Sequence, residues 1–149
     1  MPGRPAYLDT LTSRFERLGA PLRSQRWSWG AIHPTNGTVI LRVWRDRIER
    51  LPDHPGPKCV QLTHLQKYQY NPKNLGYNER IKHVEAIHQG APCLLILCEA
   101  VDNEATTRAI KNFTREYLYR GGMLVQHDQD WWIEVGDEVP LATLLAARV

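Results

Sequence analysis

The dipeptide Asn36-Gly37 constrains this chain more than any other feature, because it stands between two β-rich runs, RWSWGAIH (26–33) and TVILRVW (38–44). Both residues tolerate the positive φ that a tight connection between antiparallel strands demands, so a β-hairpin is expected with Pro34-Thr35-Asn36-Gly37 at its tip. Alternation then assigns faces. Val39, Leu41 and Val43 point one way, Ile40, Arg42 and Trp44 the other, and Trp27 and Trp29 share one side of the first strand. The all-aliphatic side belongs in a core. The opposite side combines arginine with tryptophan.

Other segments follow from their periods. Leu8, Leu11, Phe15 and Leu18 recur at helical spacing, Asp9 or Thr10 can cap them, and Gly19 with Pro21 stops the run, which gives an N-terminal helix within 1–20. Residues 45–58 read as a proline-rich polar loop, 59–64 as a short strand and 65–75 as an aromatic, polar and basic loop. A second helix is expected over 77–89. Tyr77, Ile81, Val84, Ile87 and His88 share one of its sides, and Asn78, Glu79, Lys82, Glu85 and Gln89 form its solvated face. The run PCLLILCEA (92–100) is a buried strand. A helical turn over 103–112 is followed by strands at 116–120, 123–127 and 131–135, with tight turns at Gly121-Gly122 and Asp128–Asp130. Pro140 suits the first turn of a C-terminal helix over 140–148 bearing Leu141, Leu144 and Leu145.

A doubly wound sheet would show a regular strand-helix-strand rhythm, and a phosphate loop would show clustered glycines; neither is present. The expected fold is α+β: one domain over 1–149, with a small, curved, mainly antiparallel sheet or β-barrel over 25–135 and two or three flanking helices. At 149 residues, 42% of them hydrophobic and 23% charged, the chain is long enough for its own core. No apolar run approaches the ~18 residues of a membrane span, and Met1-Pro2-Gly3-Arg4 begins no apolar signal segment. Three cysteines, Cys59, Cys93 and Cys98, are an odd count without metal-like spacing. A disulfide framework is not expected, a reducing cytoplasm is the expected compartment, and Cys93 and Cys98 read as small buried hydrophobes.

Charge is distributed unevenly. Residues 1–82 hold 14 Lys+Arg against 6 Asp+Glu, a balance of +8, whereas residues 83–149 hold 5 against 10, a balance of −5. Arginines outnumber lysines 14 to 5, and arginine suits bidentate contact with phosphate and stacking on planar rings. The N-terminal half therefore offers a polyanion surface if the fold gathers its charges.

Five constellations could carry chemistry. Arg26, Trp27, Trp29, Arg42, Trp44 and Arg45 combine flat rings with guanidinium groups, the pairing that binds exposed bases; the plainer alternative is tryptophans packed in a core. In the second helix, Tyr77 marks the boundary, and Arg80 near the first turn could assist an anion. Glu79 and His83 are four apart and His83 and His88 five apart, too few aligned ligands for a metal. His64 at a strand exit, followed by Tyr68 and Tyr70, could hydrogen-bond a base or serve as acid and base. Arg108, Lys111, Asn112 and Arg115 form a basic island that Phe113 anchors. Asp128, Asp130, Glu134, Asp137 and Glu138 surround Trp131 and Trp132, and the first two read as turn chemistry. No nucleophile elbow, C-x-x-C, H-E-x-x-H or Walker loop occurs, so neither a catalytic set, a metal nor a cofactor is called for.

The tryptophan strand RWSWGAI, the hydrophobic strand entering a charged loop, GTVILRVWRD, and the late Trp131-Trp132 together resemble the PUA-like superfold, which includes the EVE, ASCH and YTH domains. The resemblance lies in layout over roughly 25–135. It implies a small β-barrel with flanking helices that binds RNA or DNA, with a modified or flipped base held in an aromatic pocket. Trp27, Trp29, Trp44 and Arg42 would then be pocket or strand-binding residues. Helix 77–89 and loop 65–75 have no evident counterpart in that layout.

Three readings compete. The leading one is a non-catalytic nucleic-acid-binding domain, a reader of modified bases in DNA, that captures its partner through the basic half and stacks a base on tryptophan. The second is a small hydrolase or nuclease using His64 with Tyr77, Glu79 or His83. The third is a protein-interaction module whose tryptophans form a partner patch.

Overall fold

The structure, a computed structural model, describes residues 10–68 and 73–147. Leu8, Asp9 and Tyr70 lie outside the described residues. Helix α1 (Leu11–Arg17) leads into β1 (Gly30–Ile32) and β2 (Val39–Trp44), a 3-10 turn over Arg45–Arg47, β3 (Ile48–Glu49) and β4 (Cys59–Gln61). Two helices, α2 (Leu65–Tyr68) and α3 (Leu75–His88), precede β5 (Cys93–Ala100), β6 (Ile110–Phe113), β7 (Tyr117–His127), β8 (Asp130–Pro140) and helix α4 (Leu141–Ala147). The α+β expectation holds.

The eight strands form one mixed sheet in the order β1-β2-β5-β7-β8-β4-β3, with β6 added beside β5. β2 and β5 run parallel, and the other six pairings are antiparallel. The parallel pair is possible because β3, β4, α2 and α3 intervene as a long crossover. Both faces of that pair are buried, which is why VILRVW and CLLILC read as nearly continuous apolar runs. Val39, Leu41, Val43, Leu95 and Leu97 join Val60, Leu62 and Ile133 under Val84 and Ile87 of α3. Ile40, Ile96, Cys98 and Leu118 join Phe113 and Val139 under Phe15 of α1 and Leu141 of α4. Each fully buried leucine or isoleucine here contributes about 1.5–3 kcal/mol of transfer free energy. The residues opposite Val39, Leu41 and Val43 are thus not a surface: Ile40 lies in the second core, and Arg42 and Trp44 are half-buried.

The described strands do not close into the expected barrel. β1 and β3 are the free ends of the strand path, and at three and two residues each offers little backbone to pair. Where the ends approach, a side chain takes the place of a ladder. Arg80 of α3 donates from Nη1 to the Leu62 carbonyl after β4 (3.2 Å), and from Nη2 to the carbonyls of Trp29 before β1 (3.2 Å) and Arg42 of β2 (2.7 Å). One guanidinium thereby bonds carbonyls from three chain segments, that of Trp29 already accepting from the Arg42 N–H at 2.9 Å.

Local chemistry explains several departures from the sequence pattern. The first hairpin forms, pairing Gly30 with Leu41 and Ile32 with Val39, but only Gly37 has positive φ (76°), while the Asn36 side chain accepts from the Thr38 N–H. The two-residue turn with both central φ positive is Asp128 (49°) and Gln129 (70°), between His127 and Asp130. Gly121-Gly122 is not a turn. It lies inside the eleven-residue β7, where the register shifts and Glu134 fills the space beside Gly122, as glycines at a bulge permit.

The expected helical turn over 103–112 is instead an Asx turn on Asp102, whose Oδ1 accepts from the Glu104 N–H, followed by β6. Arg26 and Trp27 lie in a turn before β1, so Trp27 and Trp29 are not strand neighbours. α1 is capped by Thr10, whose Oγ1 accepts from the Ser13 N–H, and α3 starts earlier than its apolar pattern because Asn74 accepts from the Tyr77 N–H at 2.9 Å.

Candidate functional site

A cavity of about 730 Å³ opens beside the seam that Arg80 bridges, within the ~300–1,000 Å³ that suits a small ligand. Three rings stand together at it. Tyr68 stacks on Tyr77 with centroids 4.6 Å apart, and Trp29 meets Tyr68 at 5.5 Å and Tyr77 at 6.3 Å. Each arrives from a different element: Trp29 from the approach to β1, Tyr68 from the end of α2 and Tyr77 from the first turns of α3. α2 is positioned by Asp130, whose carboxylate accepts from the Leu65 N–H and the Thr63 hydroxyl, both at 2.8 Å. α3 can approach Trp29 because residue 76 is glycine; a Cβ there would overlap the Trp29 indole and the Trp27 carbonyl.

Seven cationic side chains line the cavity: Arg26, Arg42, Arg47, Lys67, Lys73, Arg80 and Arg108. Among the described residues no carboxylate lines it. Besides Arg80, two of these cations have clear partners: Arg108 forms a bidentate pair with Asp46 (2.7 and 2.9 Å) while lying 5.1 Å from the Trp44 ring centroid, and Lys67 donates to the Thr106 carbonyl at 2.7 Å. Arg80 is only 4% exposed and lies over Trp29 at 5.6 Å. Burial, then the neighbouring charge of Arg42, lowers its pKa to about 10, and burial lowers that of Arg42 as well. Burial raises the Tyr77 hydroxyl above its ordinary range, with the Asp130 carboxylate reinforcing the effect.

Of the residues expected from sequence, the cavity gathers Arg26, Trp27, Trp29, Arg42, Trp44, His64, Tyr77, Arg80 and Arg108. Arg45, Lys111 and Asn112 are exposed and outside it, the latter two because β6 carries them along the far edge of β5. Arg80 is no helix-end anion receptor, since both its Nη atoms donate to backbone carbonyls. Arg47, Lys67, Tyr68 and Lys73 belong to the lining too. Tyr68 is already named beside His64, and Lys67 and Lys73 are signalled only by the aromatic-basic makeup of segment 65–75, whose place beside Trp29 no local pattern reveals. Arg47 lies in the proline-rich loop and has no such signal.

The acid-base set does not converge on the cavity. Glu79 is half-buried rather than solvated and accepts from the Ser28 hydroxyl at 3.2 Å. His83 is buried with no partner on Nδ1, and burial lowers its pKa to about 4. Neither lines the cavity, whereas His64 does and caps α2, its Nδ1 accepting from the Lys67 N–H at 3.3 Å. The three cysteines are free and buried; burial raises Cys93 and Cys98 to about 12, so both are inert thiols. Among the described residues no group of three His, Cys, Asp or Glu could hold a metal, and no helix is long and apolar enough to cross a membrane.

A second, smaller cavity of about 460 Å³ has the opposite character, lined by Glu49, Asp128, Asp130 and His127 without any lysine or arginine. Fold and cavities together define an α+β protein with an open mixed sheet and one cation-lined aromatic cavity at its seam. No protein-family model matches the chain, and no curated protein or solved structure matches it.

Proposed function

We propose that this protein is a non-catalytic nucleic-acid-binding domain, PUA-like in kind, that reads a modified base in DNA. The observation that carries the reading is the union, in one cavity, of the Trp29–Tyr68–Tyr77 ring cluster with seven cations and no described carboxylate. Cations such as Arg26, Arg47 and Lys73 at the cavity hold the phosphate backbone, and the rings accept an unstacked base, for which aromatic stacking is worth about 1–3 kcal/mol. A purely apolar protein-docking patch would have no use for that charge.

Fluorescence anisotropy against labelled single- and double-stranded DNA and RNA, with and without methylated bases, tests it across a salt series. Three or four phosphate contacts predict a loss of about a hundredfold in affinity between 50 and 200 mM salt. Absence of binding at the lowest salt removes the proposal.

A further inference from the structure

Among the described residues, four of the five guanidinium groups lining the cavity form no ion pair, and two of them, Arg42 and Arg80, are withdrawn from solvent. Arg80 has three hydrogen bonds, all to neutral carbonyls, and its buried Nε has no acceptor. Carbonyls satisfy its hydrogens without neutralising its charge. Arg42 lines the same cavity half-buried, and among the described residues neither guanidinium forms an ion pair. The two repel one another, since the charge on Arg42 is the second cause, after burial, of the lowered Arg80 pKa.

Glu79 lies on Arg80's own helix but is engaged by Ser28, and it reaches Arg80 only through space. Asp130 is held by Thr63 and the Leu65 N–H. Buried charges in folded proteins are ordinarily paired. This chain supplies such a pair a short distance away, where Asp46 clamps Arg108. At Arg42 it supplies none, so the negative charge is left for a ligand.

We infer that the cavity receives an oxyanion carried by the nucleic acid itself, a base-borne carboxylate or a terminal phosphate monoester, on the guanidinium of Arg42. The inference rests on the nucleic-acid reading above and narrows it from any planar base to a nucleotide that brings its own anion. A guanidinium fork matches both groups bidentately, and the rings beside it hold the attached base.

The test uses the full chain, its Arg42→Gln variant, and Arg42→Lys, which keeps the charge without the fork; matching melting curves certify that each folds. Anisotropy is read on one DNA sequence in four forms: unmodified, with one 5-methylcytosine, with one 5-carboxylcytosine, and unmodified with a 5′-phosphate. The expected result is affinity about tenfold to a hundredfold higher for the carboxylated or the phosphorylated strand than for the neutral ones. Arg42→Gln abolishes the preference and Arg42→Lys keeps part of it. Which strand gains identifies the source of the anion.

Equal binding of all four strands overturns the inference and leaves the nucleic-acid reading standing. If no strand binds, a thermal shift with a nucleoside monophosphate separates the two claims. Stabilisation of the wild type but not of Arg42→Gln supports the anion site and removes the nucleic-acid reading. No shift in either protein overturns both.

Discussion

Arg14 and Arg80 are both arginines sealed inside the fold, 3% and 4% exposed, and both spend their donors on backbone carbonyls. Arg14 binds the carbonyls of Thr114 (3.1 Å) and Arg115 (2.7 Å), with its guanidinium 5.3 Å from the Phe113 ring centroid, and so ties α1 to the end of β6. Arg80 ties α3 to three chain segments, but one side of its surroundings is a cavity and its neighbour there is another arginine. The same chemistry thus serves two ends. Away from the cavity a guanidinium is a structural clamp; beside it, on the proposal above, its charge is also offered to an incoming anion.

Removing each arginine separates these roles, and Arg80→Ala is expected to be the more damaging. Three carbonyls lose charge-assisted bonds worth about 1.5–3 kcal/mol each, so a loss of about 3 kcal/mol or more is expected in urea unfolding. Arg80→Lys should rescue little, because one ammonium cannot span the three acceptors. An unchanged urea midpoint in Arg80→Ala would show that the seam holds without its clamp.

His83, whose pKa is lowered by burial and then by the Arg80 charge, gives a pH test of the same region. The unfolded histidine binds a proton below about pH 6.5, the folded one only near pH 4. More protons are therefore bound by the unfolded chain inside that window, and stability falls as pH drops through it, by about 3 kcal/mol in all. His83→Leu should flatten the profile between those limits. A slope that survives the substitution would place the titration elsewhere.

Arg14→Ala should cost about 2–3 kcal/mol from its two carbonyls, yet leave the oligonucleotide affinity of the folded protein unchanged. Weakened binding in a fully folded sample would break the distinction between clamp and cavity. Trp29→Ala is expected to cost about 1–3 kcal/mol of binding, with Gly76→Ala mimicking it by displacing the indole. Full affinity in both variants would remove the ring cluster from recognition. The smallest effect belongs to Lys111→Ala: it lies exposed on β6, outside the cavity, so stability should stay within about 0.5 kcal/mol and affinity within about twofold. A larger loss of affinity would extend the interface across β6.

Elements whose evidence is local were legible in the chain. The hairpin around Gly37, the buried run 92–100, the helix carrying Val84 and Ile87, and the turn at Asp128 each declare themselves through a period or a backbone preference. Errors fell where one residue served two demands. Gly121-Gly122 reads as a turn but is a bulge, because Glu134 across the ladder needs the space. Glu79 sits at a solvent-side period of α3, yet Ser28 from fifty-one residues away draws it inward.

The candidate site divides along the same line. Sequence alone determined its ingredients: an arginine-rich half, tryptophans before and after the first hairpin, and a tyrosine-bearing basic segment. Their presence depends only on composition and on which residues alternate. Tertiary structure decided that Trp29, Tyr68 and Tyr77 meet, that Lys111 and Asn112 are carried away from them, and that Arg80 closes a seam the strands leave open. Those outcomes depend on the parallel pairing of β2 with β5 and on the crossover that swings α3 over it. A pairing between residues fifty-four positions apart leaves no periodicity in either segment, since its energy lies in the contact and not in the local chain.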